Sequence, residues 1–193
     1  MSNPPKILAF AGSARSASFN KKLVQIAANG ARKAGAEVTY IDLRDFPMPL
    51  FDQDLEAAEG MPKAAQELKS LFFAHQGLLI ASPEYNSTIS PLLKNAIDWV
   101  SRPAPGEPML AAFSGKLVGI MSTSPGGLGG LRGLAQLREL LANISMTVLP
   151  NQIAIPQAFE AFTESGTLKD PQKQTAVENI GANVAQMLTK LNA

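Results

Sequence analysis

The stretch Ile7-Leu8-Ala9-Phe10-Ala11-Gly12-Ser13-Ala14-Arg15-Ser16-Ala17-Ser18-Phe19-Asn20-Lys21-Lys22-Leu23 decides how the rest of the chain is read. It opens on an apolar run, Ile7 to Ala11, that is too short for a helix and does not alternate. Such a run marks a strand buried on both faces of a parallel sheet. A glycine and a serine-rich loop follow. Apolar residues then return at helical spacing, with Leu23, Ile26, Ala27, Gly30 and Ala34 on one face. Strand, loop and helix in that order form the opening unit of an α/β domain.

Outward from this unit the pattern repeats. Continuous apolar runs lie at Val38 to Ile41, Gly77 to Ala81 and Leu117 to Met121, and a fifth at Ser145 to Leu149 leads into the extended Ile153 to Ile155. Helical stripes fall between and after them. They comprise Ala65, Leu68 and Phe72 within Pro62 to His75; Leu93, Ala96, Ile97 and Val100; and Leu134, Leu137, Leu140 and Leu141. The last stripe is Val177, Ile180, Val184, Met187 and Leu191, with Asp170-Pro171 as its start signal. This alternation predicts a doubly wound five-stranded parallel sheet with helices on both faces, a three-layer α/β/α architecture. No repeat, low-complexity tract or linker divides the chain, so one domain over 1–193 is expected. Two Pro-containing connections, Phe46 to Gly60 and Arg102 to Phe113, read as long loops.

Composition narrows the chemistry. With 46% hydrophobic and 17% charged residues the chain is globular. Lys plus Arg number 17 against 16 Asp plus Glu, and a net charge of +1 lacks the basic field that binding to nucleic acid or an anionic membrane needs. Cysteine is absent and His75 is the only histidine, which excludes a thiolate nucleophile and a multi-histidine metal site. Redox chemistry would have to come from a bound cofactor. The start, Met1-Ser2-Asn3-Pro4-Pro5, lacks the basic and apolar regions of a leader, and a cytoplasmic protein is expected.

The loop Gly12 to Asn20 sits where a strand hands over to a helix, so backbone N–H groups and a helix N-terminus converge there on a potential anion. Ser18 is the N-cap candidate, Ser13, Ser16 and Asn20 add short polar groups, and Arg15 offers a fork suited to phosphate oxygens. Neither G-x-x-x-x-G-K-[ST] nor G-x-G-x-x-G is present. Hydroxyls in place of glycines suit a terminal monophosphate, such as that of FMN, better than a bridging diphosphate. The same loop also reads as a serine-rich turn with an ordinary N-cap.

Two further loops belong with it. Ser82-Pro83-Glu84-Tyr85-Asn86-Ser87-Thr88 follows the third strand and Ser124-Pro125-Gly126-Gly127-Leu128-Gly129-Gly130 the fourth. In a flavodoxin-like order, 2-1-3-4-5, the loops after strands 1, 3 and 4 open on one crevice. Gly126 and Gly127 would allow a flat ring close to the main chain and offer N–H donors to its electron-rich edge. Asn86 would bond to the ring or simply hold the turn.

Three blocks now carry a family resemblance: Gly12-Ser13-x-Arg15-x-x-Ser18-x-Asn20-x-x-Leu23; Pro83-Glu84-Tyr85-Asn86 with Leu93-Lys94-Asn95-Ala96-Ile97-Asp98-Trp99; and Ser124-x-Gly126-x-x-Gly129-Gly130 with Gln136-Leu137-Arg138. Together, from about Lys6 to about Leu149, they resemble the NADPH-dependent FMN reductase family of quinone, azo-dye and chromate reductases. The resemblance implies non-covalent FMN with NAD(P)H as co-substrate. It implies ping-pong hydride transfer through flavin N5 to a quinone, azo dye, metal oxyanion or free flavin. Phosphate contacts carry over to Ser13, Arg15, Ser18 and Asn20, and ring and ribityl contacts to Pro83, Glu84, Tyr85, Asn86, Ser124, Pro125, Gly126 and Gly127. A homodimer or homotetramer is implied as well, and Pro47 to Leu55 resembles the family loop beside a partner's flavin.

Other residues invite roles that the sequence leaves open. Trp99 suits a core or a subunit interface better than a cofactor stack, Tyr85 the ring or the rim, and Lys94 with Asp98 a solvated i, i+4 pair. Arg132 and Arg138 would meet a nucleotide phosphate or form subunit salt bridges. Asp42 and Asp45 follow the second strand, without the glycine fingerprint a ribose carboxylate would accompany. His75 closes its helix and is expected at the surface or in the last turn. The rival readings are a flavodoxin-like electron carrier, which would want an acidic docking face, and a non-redox phosphate-binding module or phosphohydrolase.

Overall fold

The continuous apolar runs form β1 (Lys6–Ala11), β2 (Glu37–Tyr40), β3 (Gly77–Ala81), β4 (Leu117–Thr123) and β5 (Thr147–Ile155) in a computed structural model that describes residues 3–191. Met1 and Ser2, the start of the stretch read for a leader, and Asn192 and Ala193 lie outside the described residues. The strands pair in parallel in the order β2-β1-β3-β4-β5, the flavodoxin-like order expected. Between and after them run α1 (Phe19–Lys33), α2 (Gln53–Glu59), α3 (Lys63–Ala74), α4 (Pro91–Val100), α5 (Leu131–Asn143), the single-turn α6 (Ala158–Ala161) and α7 (Pro171–Leu191).

Alternate strand residues serve opposite faces. Ile7, Ala9 and Ala11 of β1 pack with Leu23 and Ala27 of α1 and Val177 and Val184 of α7. Leu8 and Phe10 pack with Leu68 and Phe72 of α3, Leu93 and Ile97 of α4, and Leu134 and Leu137 of α5. Both faces are covered, so neither has a solvent side on which alternation could show. The first layer is tight because α1 and α7 cross at glycines. A Cβ on Gly30 would lie 1.9 Å from the carbonyl oxygen of Glu178, and one on Gly181 would lie 1.8 Å from that of Ala27.

Several expectations change. The connection read as a loop from Phe46 to Gly60 contains α2, which buries no residue and so leaves no stripe to read. Its start is fixed by Asp52, whose carboxylate accepts from the N–H groups of Asp54 and Leu55. The preceding segment is pinned to α4. Asn95 Nδ2 and Trp99 Nε1 both donate to the Pro49 carbonyl, at 2.9 and 2.8 Å, and Asn95 Oδ1 accepts from Phe51 N–H. Trp99 is fully buried, edge-on to Phe51, and is therefore core.

β5 runs through Pro150 as one strand with a bulge: Val118 faces Val148, but Ile120 faces Gln152, so two extra residues loop out of β5. Arg138 serves this bulge. Its guanidinium donates to the Val148, Leu149 and Pro150 carbonyls and to Gln152 Oε1, which gives it a structural task within the chain. The buried face of α7 is Val177, Ile180, Gly181, Val184, Ala185 and Leu188, whereas Met187 and Leu191 are exposed. His75 ends α3 as expected but is buried, not at the surface. Its Nδ1 lies 2.6 Å from the Leu71 carbonyl and its Nε2 lies 2.8 Å from the Thr39 hydroxyl. The carbonyl can only accept, so Nδ1 is the donor there.

Candidate functional site

The loops after β1, β3 and β4 reach the same edge of the sheet, and side chains tie them into one frame. Asn20, in the first turn of α1, places its amide against β4: Nδ2 donates to the Thr123 carbonyl at 2.9 Å and Oδ1 accepts from Thr123 N–H at 3.1 Å. Ser90 Oγ donates to the Gly12 carbonyl and also accepts from Leu93 N–H, which caps α4. Ser122 Oγ donates to the Ser82 carbonyl. Glu84 crosses from the second loop to the third, where Oε2 accepts from Gly133 N–H in the first turn of α5 at 3.0 Å. Each pair of loops is thus joined before any ligand arrives.

At this edge nine of the twelve residues singled out from the sequence line one pocket of about 100 Å³: Ser13, Arg15, Ser18, Asn20, Pro83, Glu84, Tyr85, Ser124 and Pro125. Asn86, Gly126 and Gly127 stand outside its lining, on the exposed tips of the second and third loops. Phe19, Thr123 and Ala158 line it too and were not anticipated. Phe19 falls within the first loop as read from the sequence, Thr123 ends β4 two residues beyond the apolar run, and Ala158 opens α6 after β5, where no motif points to it.

The end read from the sequence as a phosphate site is open in a specific way. Ser18 occupies the N-cap position of α1 with extended backbone, but its hydroxyl makes no capping bond, and the first turn holds no acidic residue. Ser13 and Ser18 are only 3% and 4% exposed, and neither hydroxyl has a protein partner among the described residues. Arg15 is exposed and likewise unpaired. Asn20 differs, because its amide already serves Thr123.

The end read from the sequence as a ring site is shaped by two turns. Tyr85 and Thr88 exchange backbone hydrogen bonds around Asn86 and Ser87, both at positive φ (50° and 69°), a two-residue turn of the mirror-image type. Asn86 is thereby accounted for as a turn residue, since asparagine tolerates this conformation better than most. Tyr85 projects from the turn 46% exposed. In the third loop, Gly129 and Gly130 have positive φ, and a Cβ there would collide with Ile155 and Ser122. Gly126 and Gly127 are under no such demand: a Cβ on Gly127 meets nothing within 4 Å, and one on Gly126 meets only Ser124 Oγ at 3.9 Å.

The remaining candidates have local employment. Arg132 donates to Ser87 Oγ and lies 3.9 Å from Glu84. Lys94 meets both oxygens of Asp98 at 2.7 Å, the i, i+4 pair expected. Asp42 accepts from Lys21 Nζ and Arg44 N–H, which ties α1 to the end of β2. Burial pushes the Asp42 carboxyl up, but those hydrogen bonds and cations outweigh it and hold its pKa below the ordinary value. Roomier depressions lie elsewhere, among them one of about 550 Å³ beside α3 and one of about 600 Å³ between α4 and α5. Lys69, Glu56 and Glu107 in the first already bond to Arg102 and to one another, so volume there comes without free polar chemistry.

The sequence profile of the NADPH-dependent FMN reductase family matches residues 5–160, which span all five strands and the three loops. The chain belongs to that family. Among its relatives, an NAD(P)H-dependent FMN reductase of Pseudomonas aeruginosa is 35% identical over 179 residues, 92% of each chain. A quinone reductase of Escherichia coli K12 is 34% identical over 150 residues, covering 77% of this chain and 76% of the relative. Among solved structures, a flavoenzyme NAD(P)H:(acceptor) oxidoreductase of Paracoccus denitrificans superposes with a TM-score of 0.79 at 25% identity, over 96% of this chain and 98% of that one. Membership of the NADPH-dependent FMN reductase family makes the protein an oxidoreductase that works with FMN and a reduced nicotinamide.

Proposed function

We propose that the three-loop crevice holds FMN non-covalently, with its phosphate at the N-terminus of α1 and its ring across the Pro83–Tyr85 turn and the Ser124–Gly127 loop. One observation carries this reading. Of the three helices that open from these three loops, α4 is capped by Ser90 and α5 receives a bond from Glu84, whereas the start of α1 has no side-chain partner. An uncapped N-terminus with Ser13, Ser18 and Arg15 around it favours a dianionic phosphate at that end and no other. Gly126 and Gly127 support the ring position, because neither backbone strain nor packing within the chain asks for glycine there. Close approach of a flat ligand does.

When bound, FMN supplies the hydride-accepting N5 and a ping-pong relay between NAD(P)H and a quinone, azo dye, metal oxyanion or free flavin. The chain's own residues bind and orient. Arg15 neutralises the phosphate, the frame of Asn20, Ser90 and Glu84 holds the loops in register, and the N–H groups of Gly126 and Gly127 face charge that gathers on reduction. No side chain needs to donate a proton, and the Glu84 carboxylate is already engaged by α5.

The pocket encloses little more than a phosphate, so the ring lies on open surface rimmed by exposed Tyr85, Leu128 and Leu131. This supports a homodimer or homotetramer in which a second copy covers the flavin. Leu50, 76% exposed on a segment pinned by Asn95 and Trp99, suits the covering role expected of the 47–55 loop. The same reading takes the chain as one cytoplasmic domain. No helix among the described residues is long and apolar enough to cross a membrane.

Arg15→Ala tests the phosphate assignment. FMN affinity is expected to fall roughly tenfold or more, as for a lost charge-assisted hydrogen bond, while the apoprotein melts as wild type does. Unchanged affinity in a fluorescence titration of the apoprotein would place the phosphate elsewhere.

A further inference from the structure

We infer that Glu84 is a positioning residue that holds the two ring loops together and keeps the bound flavin's reduction potential low; the inference rests on the FMN reading above. The N-cap of α5 is Gly130, in left-handed backbone, which has no side chain to offer the helix. The cap comes instead from 49 residues earlier in the chain, where Glu84 Oε2 accepts from Gly133 N–H. Contact is close enough that a Cβ on Gly133 would sit 3.3 Å from that of Glu84, and one on Gly130 would sit 3.7 Å from it. The hydrogen bond therefore helps, with that of Ser122 to the Ser82 carbonyl, to set the separation of the second and third loops, the two between which the ring lies.

The residue also carries charge. Glu84 lines the pocket from the second loop, its side chain is 15% exposed, and the charged side chains facing it are Arg132, 3.9 Å away and itself 59% exposed, and Arg15 across the pocket. A partly desolvated carboxylate beside the ring opposes the negative charge that the ring gains on reduction. It also neutralises the positive end of α5, which would otherwise stabilise that charge. Both effects act in one direction: reduced flavin is held less tightly than it would be beside a neutral residue.

Glu84→Gln separates charge from geometry, because the amide oxygen keeps the bond to Gly133 N–H while the charge is lost. Three quantities are measured on wild type, Glu84→Gln and Glu84→Ala: apoprotein melting, the dissociation constant for oxidised FMN, and the midpoint potential of the bound flavin. Glu84→Gln, which gives up the charge at the start of α5, is expected to melt within about 4 °C of wild type. Its binding of reduced relative to oxidised flavin should rise roughly tenfold, a shift of about +30 mV for a two-electron couple. Glu84→Ala should bind oxidised FMN at least about tenfold more weakly and melt at lower temperature. A residue that merely capped a helix would leave the Glu84→Gln potential where it was, and that result overturns the inference, as does wild-type FMN affinity in Glu84→Ala. Wild-type protein that takes up no FMN would instead overturn the function reading, and this inference with it.

Discussion

Replacing Asn20 with alanine distinguishes two kinds of residue that the sequence placed together at the phosphate end. Asn20 and Ser18 lie two positions apart, both buried and both in the same pocket. The Asn20 amide makes two hydrogen bonds to the backbone of Thr123, whereas the Ser18 hydroxyl makes none within the chain. Asn20→Ala leaves a buried N–H and a buried carbonyl without partners, at about 1–3 kcal/mol each before relaxation. A net loss of about 2–4 kcal/mol follows. In a chain of this length each kcal/mol lowers Tm by about 2–4 °C, so the apoprotein should melt roughly 5–15 °C lower. Ser18→Ala removes no intramolecular bond and should melt within about 2 °C of wild type, while FMN affinity falls about tenfold. Thermal denaturation of the apoproteins followed by circular dichroism, paired with FMN titrations, reads both. Asn20→Ala melting with wild type, or Ser18→Ala falling as far as Asn20→Ala, would refute the division of roles.

Two further outcomes test the frame. The depressed pKa of Asp42 contributes stability that is present above its unfolded value of about 4 and lost as pH falls through its lower folded value. The Tm gap between wild type and Asp42→Asn should therefore be open at neutral pH and close below about pH 4; a gap independent of pH would contradict the Lys21–Asp42 assignment. Gly30→Ala should destabilise by about 1–3 kcal/mol, because the added methyl meets the Glu178 carbonyl of α7, a backbone atom that cannot swing away. Helix propensity alone would make the same change stabilising by about 1 kcal/mol, so the sign of the Tm shift decides it.

The sheet could be read from sequence because its strands are buried on both faces, and Ile7–Ala11 and Gly77–Ala81 therefore stand out as unbroken apolar runs. The loops could be read because their chemistry is local: a glycine, a turn or a cluster of hydroxyls has meaning at its own position. Distant partnerships left no such trace. Nothing in Gly130 indicates that α5 draws its cap from Glu84, and nothing in Asn20 indicates that its amide is committed to β4. α2 escaped notice because it buries nothing and is held by a cap and by Arg102 binding Glu56. In α7 the large residues Met187 and Leu191 suggested the wrong edge of the stripe. Its true face is marked by Gly181 and Ala185, where small size lets α1 approach. Pro150 likewise disguised β5, whose bulge depends on Arg138 from another element.

We propose that the crevice binds FMN and that a reduced nicotinamide passes electrons to it there. Purified protein incubated with FMN and freed of excess by gel filtration should stay yellow. Its flavin bands should bleach on anaerobic addition of NADPH and return when a quinone is admitted. Protein that emerges colourless, with all FMN in the small-molecule fraction, would contradict the account at its root.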